Sequence, residues 1–227
     1  MKKTAPRPFF IHVMKKPALF LLALAFSHLH AGEIQRATLN ADDWQPGDPP
    51  KEVFVVDGKI QITAKDGNNA ITVLPEAVTD ASAQLGSSAA GESSIQARVF
   101  SARRARSNPR FGISVHGMSG HRLILNPAKR QLELHKNDEI LATVPHSWTS
   151  EAWVWLKLEA RRGEGDAWHI HGKIWEQGAE EPAEPQIKHE AKGLKGQGKP
   201  GIWGTPYSEQ PIHFDDIQIA IELPAAS

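Results

Sequence analysis

Apolar and polar residues alternate one by one along most of this chain, in short runs broken by turn signals, and a period of two confines it to sheet structure. SIQARVFSA directs Ile95, Ala97 and Val99 to one side and Gln96 and Arg98 to the other. RFGISVHG does the same with Phe111, Ile113 and Val115 against Ser114 and His116. HRLILNP, QLELHK and EILATVP follow a turn at Gly117–Gly120, and WVWLKLEARR sets Val154, Leu156 and Leu158 against Trp153, Trp155, Lys157 and Glu159. No dozen-residue window carries a helical period of three to four. Short alternating runs separated by glycine, proline and asparagine read as an all-β fold, an antiparallel β-sandwich. With no internal repeat and no linker, residues 32–227 are expected to form one domain.

Three local readings follow. VFVVDGKIQIT holds two runs joined at Asp57-Gly58, a dipeptide suited to a tight hairpin because both positions tolerate positive φ. Residues 79–94 are rich in Ser, Ala and Gly and read as a mobile loop, and residues 176–200 as an irregular excursion.

The first 31 residues read as an address. Lys2, Lys3, Arg7, Lys15 and Lys16 form a basic region without acids, PALFLLALAF supplies an apolar run, and small residues follow, the layout of a secretory signal peptide. The run is short against the ~20 residues of a membrane-spanning helix. Cleavage is expected after Ala31, with Ser27 as the other site. Export to the periplasm or medium follows.

Removing residues 1–31 leaves 21 basic and 26 acidic groups. A surplus of negative charge disfavours nucleic acid, which attracts basic patches, and an electrostatic membrane anchor. The chain has no cysteine, so neither a lipidated Cys nor a disulfide is available. A domain of about 200 residues buries roughly 70% of its extended surface and folds without such staples.

In order, WVWLKLEARR, WHIHGKIWEQGAEEP, GKPGIWG and PIHFDDIQIAI resemble the C-terminal half of concanavalin A-like lectin and glucanase jelly rolls, in particular the laminin-G-like and keto-disaccharide-hydrolase-like (family 16-related) bacterial secreted branch. The resemblance spans roughly residues 34–223 and implies a jelly roll whose partner is a saccharide or glycoconjugate. It further implies a structural calcium ion near the last strand, at Asp215. Where these relatives open on an F-x-G-K-S-L-x-G-W segment, this chain has ATLNADDW, and after Glu181-Pro182 it has Ala183-Glu184-Pro185-Gln186 in place of a tryptophan. Family 16 glucanases place E-x-D-x-x-E on one strand, so that two carboxylates act about 5 Å apart. The nearest run here, Glu164 to His169, lacks the final Glu. No G-x-S-x-G, H-E-x-x-H or P-loop is present either.

These observations favour a non-catalytic carbohydrate-binding domain over a glycoside hydrolase or a structural envelope protein. The candidate binding residues are His116, Arg122, Asn126, Glu133, Trp153, Trp155 and Trp203, the last placed on a loop. His116 and Arg122 flank the Gly117–Gly120 turn and are expected to converge, Arg offering a planar fork of donors. Trp153 and Trp155 on a polar sheet face suit stacking on a pyranose, or packing beneath the 176–200 segment. Glu133 and Glu159 are the acids that a catalytic reading needs to meet across a concave face. His169 and His171 share a strand face without an evident third metal ligand, and are expected to be solvated. Asp215 and Asp216, adjacent on a strand, are expected on opposite sides.

Overall fold

The computed structural model describes residues 33–75, 80–194 and 198–223. The proposed signal segment and its cleavage site lie outside the described residues. Fifteen strands run in chain order: β1 Ile34–Leu39, β2 Val53–Asp57, β3 Ile60–Lys65, β4 Asn68–Val73, β5 Ala81–Leu85, β6 Ser93–Phe100, β7 Arg110–Val115, β8 His121–Asn126, β9 Gln131–Lys136, β10 Glu139–Pro145, β11 Val154–Arg162, β12 Ala167–Glu176, β13 Ile187–Lys192, β14 Gly201–Thr205 and β15 Ile212–Glu222. A three-residue 3-10 turn, Ala41–Asp43, is capped by the Asn40 side chain, which accepts from the Asp42 amide.

Two antiparallel sheets form the sandwich. The eight-stranded sheet has the order β13-β12-β11-β6-β15-β4-β3, with β1 also on β15, and the seven-stranded sheet the order β10-β9-β8-β7-β14-β5-β2. β15 accommodates two neighbours on one side because a bulge between Asp215 and Gln218 divides it: β4 pairs with Ile212–Phe214, and β1 with Ile217–Glu222.

The alternation read from the sequence becomes burial. Along β6 and β11 the residues Ile95, Ala97, Val99, Val154, Leu156 and Leu158 are fully enclosed, while their neighbours reach the outer face. They meet Phe111, Ile113, Leu123, Leu125, Leu132 and Leu134 of the other sheet in one core. Each Val, Leu, Ile or Phe among them contributes roughly 1.5–3 kcal/mol on leaving water.

Three sequence expectations are corrected. Asp57-Gly58 is not a hairpin: β2 pairs with β5 in the seven-stranded sheet and β3 with β4 in the other, so the dipeptide carries the chain from sheet to sheet. The tight hairpin is one turn later, at Asp66 (φ 53°) and Gly67 (φ 90°), where Lys65 pairs with Asn68. The described part of the 79–94 segment, residues 80–94, is not all loop, since it contains β5, with Ala81, Ala83 and Leu85 in the core, and the start of β6. Small residues sit there because the strand is buried, not because it is mobile. Finally, residues 187–192 of the 176–200 excursion form β13 on the edge of the larger sheet.

Candidate functional site

In an antiparallel sheet, directly opposed residues share a face, and strands lie about 4.8 Å apart. The outer face of the seven-stranded sheet therefore reads as rows. One row runs Glu133, Ile124, Gly112, Trp203 and Ser82 across β9, β8, β7, β14 and β5. Beside it run Ile140, His135, Arg122, Ser114, Gly201, Gln84 and Phe54. On the other flank Gln131 opposes Asn126, and Arg110 opposes Thr205. Four candidates taken separately from the sequence, Arg122, Asn126, Glu133 and Trp203, thus meet on one surface.

The centre of this surface is a charged network around an indole. Trp203 is only 3% exposed although it lies on the outer face, because the Arg110 and Arg122 guanidiniums cover its ring at 5.3 and 5.6 Å from the centroid. The Glu133 carboxylate is fully buried. It accepts from Asn126 Nδ2 at 3.1 Å and meets His135 Nε2 at 2.8 Å, with Lys129 Nζ at 3.6 Å and Arg110 Nη2 at 3.9 Å. Burial pushes the His135 imidazole below its ordinary pKa, against the pull of Glu133, so at neutral pH a neutral ring donates its Nε2–H to the carboxylate. Arg122 Nη2 donates to the Asn137 carbonyl at 2.6 Å. Among the described residues, Trp203 Nε1, Arg110 Nε and Arg122 Nε are buried without a hydrogen-bond partner. The cluster is therefore short of acceptors.

Arg110 and His135 escaped the sequence reading. Both were legible as outward members of the strands that carry Phe111 and Leu134, since each alternates with a core residue. Trp203 is a mid-strand residue of β14 rather than a loop residue. Gly112 faces it directly, and a Cβ at Gly112 would collide with the Leu123 carbonyl oxygen. Gly112→Ala is accordingly expected to cost about 1–3 kcal/mol, the range for overpacking, measured as a shift of the urea midpoint at unchanged slope.

Other candidates fall elsewhere. His116 does not converge with Arg122: it is buried, adopts φ 61°, meets the Gly91 carbonyl through Nε2 at 2.6 Å and packs edge-on against Trp168 at 5.9 Å. Trp168 belongs to the core, so His116 points between the sheets and its pKa is lowered by burial. Trp153 and Trp155 do face outward, but on the eight-stranded sheet. Trp155 stacks on Trp175 at 5.8 Å with 9° between the planes, and Trp153 lies under Arg98 and beside Phe100. Glu159 shares that sheet, so Glu133 and Glu159 do not meet. His169 and His171 stack at 6.1 Å between centroids.

Asp215 and Asp216 do not face opposite sides. The bulge, with Asp216 at φ 48°, turns both carboxylates onto Arg98, whose Nη2 is 2.7 Å from Asp215 and whose Nε is 2.8 Å from Asp216. The second Asp215 oxygen accepts from the Asp216 amide at 2.8 Å. Both Asp215 oxygens are therefore engaged, and among the described residues no three His, Asp or Glu side chains converge on a point that suits a metal ion. The residues present do not fit calcium at Asp215. Melting curves with and without a chelator should overlay, and a chelator-induced shift of several degrees would contradict this geometry.

No protein-family model matches the chain, and no curated protein matches its sequence. Solved structures do. The chain is similar to the metal-free carbohydrate recognition domain of Emp46p, with a TM-score of 0.53 and 9% identity over 74% of this chain and 87% of that one. It is similar to lectin II from Ulex europaeus, with a TM-score of 0.52 and 8% identity over 82% and 98%. It is also similar to a protein of unknown function from Shewanella oneidensis MR-1, with a TM-score of 0.54 and 12% identity over 87% and 90%. In its two antiparallel sheets and their order, the chain has the concanavalin A-like jelly-roll fold.

Proposed function

We propose that this is an exported saccharide-recognition protein that binds its ligand on the outer face of the seven-stranded sheet without chemically altering it. The observation that carries this reading is the grouping of Arg110, Arg122, Trp203, Asn126, Glu133 and His135 on one face, with both guanidiniums half-buried over the indole. Hydroxyl and carboxylate oxygens of a sugar accept from the part-exposed guanidiniums of Arg110 and Arg122, and a buried Glu133 holds the cationic side chains in place rather than presenting a free nucleophile. Exposed Phe54, Met118 and Ile140 flank the same face, with Met118 reaching Ser82, and offer apolar surface to the C–H faces of further sugar rings. The Emp46p domain and the Ulex lectin share the fold, which adds to this reading by analogy.

A two-carboxylate hydrolase needs a second acid near Glu133, and Glu159, the other candidate, lies on the opposite sheet. That separation favours recognition over hydrolysis. A glycan array with the purified protein tests the proposal: the expected result is binding to a restricted glycan set that is lost on Arg110→Ala/Arg122→Ala with the fold retained. Turnover of a bound glycan that fell at least 10²-fold with Glu133→Ala would replace the reading with an enzymatic one.

A further inference from the structure

The outer face of the eight-stranded sheet carries a concavity of about 540 Å³ where β1, β15, β6 and β11 lie side by side. Side-chain length along the rows creates it. Ser94 and Ala220 are directly opposed at the centre, between Glu159 on β11 and Arg36 on β1. In the next row, Gln96 and Gln218 are directly opposed, between Lys157 and Thr38. In the first row short residues thus form the floor between charged walls, and in the second the two glutamines lie between Lys157 and Thr38. The volume falls within the roughly 300–1,000 Å³ range of small-molecule sites.

The polar groups divide into occupied and available. Glu159 is engaged by Arg161 at 2.8 Å, Lys157 by Glu181 at 3.0 Å, and Glu92 accepts from the Arg162 amide at 3.0 Å. The side chains of Arg36, Thr38, Ser94, Gln96 and Gln218 have no such partner among the described residues. The trench therefore offers two amides and two hydroxyls as donors and acceptors, one cation without a carboxylate, and no unengaged acid.

We infer that this trench is a second ligand site, for a short acidic saccharide of the uronic-acid class. The Gln96–Gln218 pair and Ser94 bond its hydroxyls, and Arg36 receives its carboxylate. Amides donate and accept at once, as vicinal hydroxyls require, and a guanidinium holds a carboxylate through a planar fork of donors. A neutral sugar would leave Arg36 unused. A divalent cation is a poor fit, because Glu159 is paired with Arg161, Glu92 accepts from the Arg162 amide, and among the described residues no three acids or histidines converge there.

Isothermal titration of the full chain with digalacturonic acid, and with lactose as the neutral counterpart, tests this site separately from the seven-stranded face. The acidic disaccharide should bind at least tenfold more tightly than lactose. In the Arg110→Ala/Arg122→Ala background, which disables the seven-stranded face, Gln96→Ala/Gln218→Ala and Arg36→Ala should each weaken the remaining binding about tenfold, with Arg36→Ala also lowering its salt dependence. The inference is overturned by no heat at millimolar ligand, by equal binding of both disaccharides, or by binding that responds to the Arg110/Arg122 variant and not to the trench variants. Unchanged circular dichroism and melting of the trench variants, all on an outer face, keep loss of fold from imitating loss of binding.

Discussion

Replacing Trp203 by alanine is expected to remove about 3–5 kcal/mol of folding stability, the range for truncating a large enclosed aromatic side chain. A tryptophan on an outer sheet face would ordinarily lose far less, but this one is 3% exposed and lies beneath two guanidiniums. Truncation strips Arg110 and Arg122 of the ring beneath them and opens a void above Gly112, which has no side chain to fill it. Arg122→Ala should cost much less in stability, since its guanidinium sits at the rim, and much more in binding. Denaturant melts of the two variants beside their saccharide affinities separate these effects. A loss under about 1 kcal/mol for Trp203→Ala would mean that the ring does not anchor the face.

The protein is also expected to lose stability steeply as the pH falls from about 6.5 towards 4. Burial holds His121 and His213 well below the ordinary histidine value of 6.5, each at about 4. His213 meets Thr72 Oγ1 through Nδ1 at 2.9 Å, whereas neither nitrogen of His121, a fully buried side chain, has a partner among the described residues. A histidine whose folded pKa is depressed favours folding while both states are neutral, above the unfolded value. Between the two values the unfolded chain binds the extra proton, so stability declines with falling pH, by up to about 1.4 kcal/mol per pH unit for each group. Below about 4 these two sites contribute no further slope. His121→Leu should flatten the decline by one proton and move the acid midpoint lower. A pH–stability profile that is level between 6.5 and 4 would contradict these assignments.

How much of this was legible in the residues differs between fold and site. Alternation marked β6 to β11 because each strand has one apolar side against the core. It was silent on β5, whose Ala and Ser residues are small enough to read as a loop, yet Ala81 and Ala83 are buried. It also could not assign sheets, so Asp57-Gly58 looked like a hairpin although tertiary pairing separates its two strands. Trp203, expected on a loop, lies mid-strand between two glycines of β14. Those glycines answer to packing: a Cβ on Gly201 would lie 2.7 Å from the Ala83 carbonyl oxygen, and one on Gly204 2.7 Å from Ile212 Cδ1. The candidate residues shared a polar, outward character that strand parity reveals. Their division between two opposite faces depends on strand order, which one chain's periodicity does not encode.

Hydrogen–deuterium exchange, with and without the glycan that the array selects, tests the central claim most directly. Ligand should slow exchange in β7, β8, β9 and β14, the strands that carry Arg110, Arg122, Glu133, His135 and Trp203, and leave the Trp155–Trp175 region of β11 and β12 unchanged. Protection confined to β11 and β12, or none in the seven-stranded sheet at saturating ligand, would contradict the assignment of the binding face.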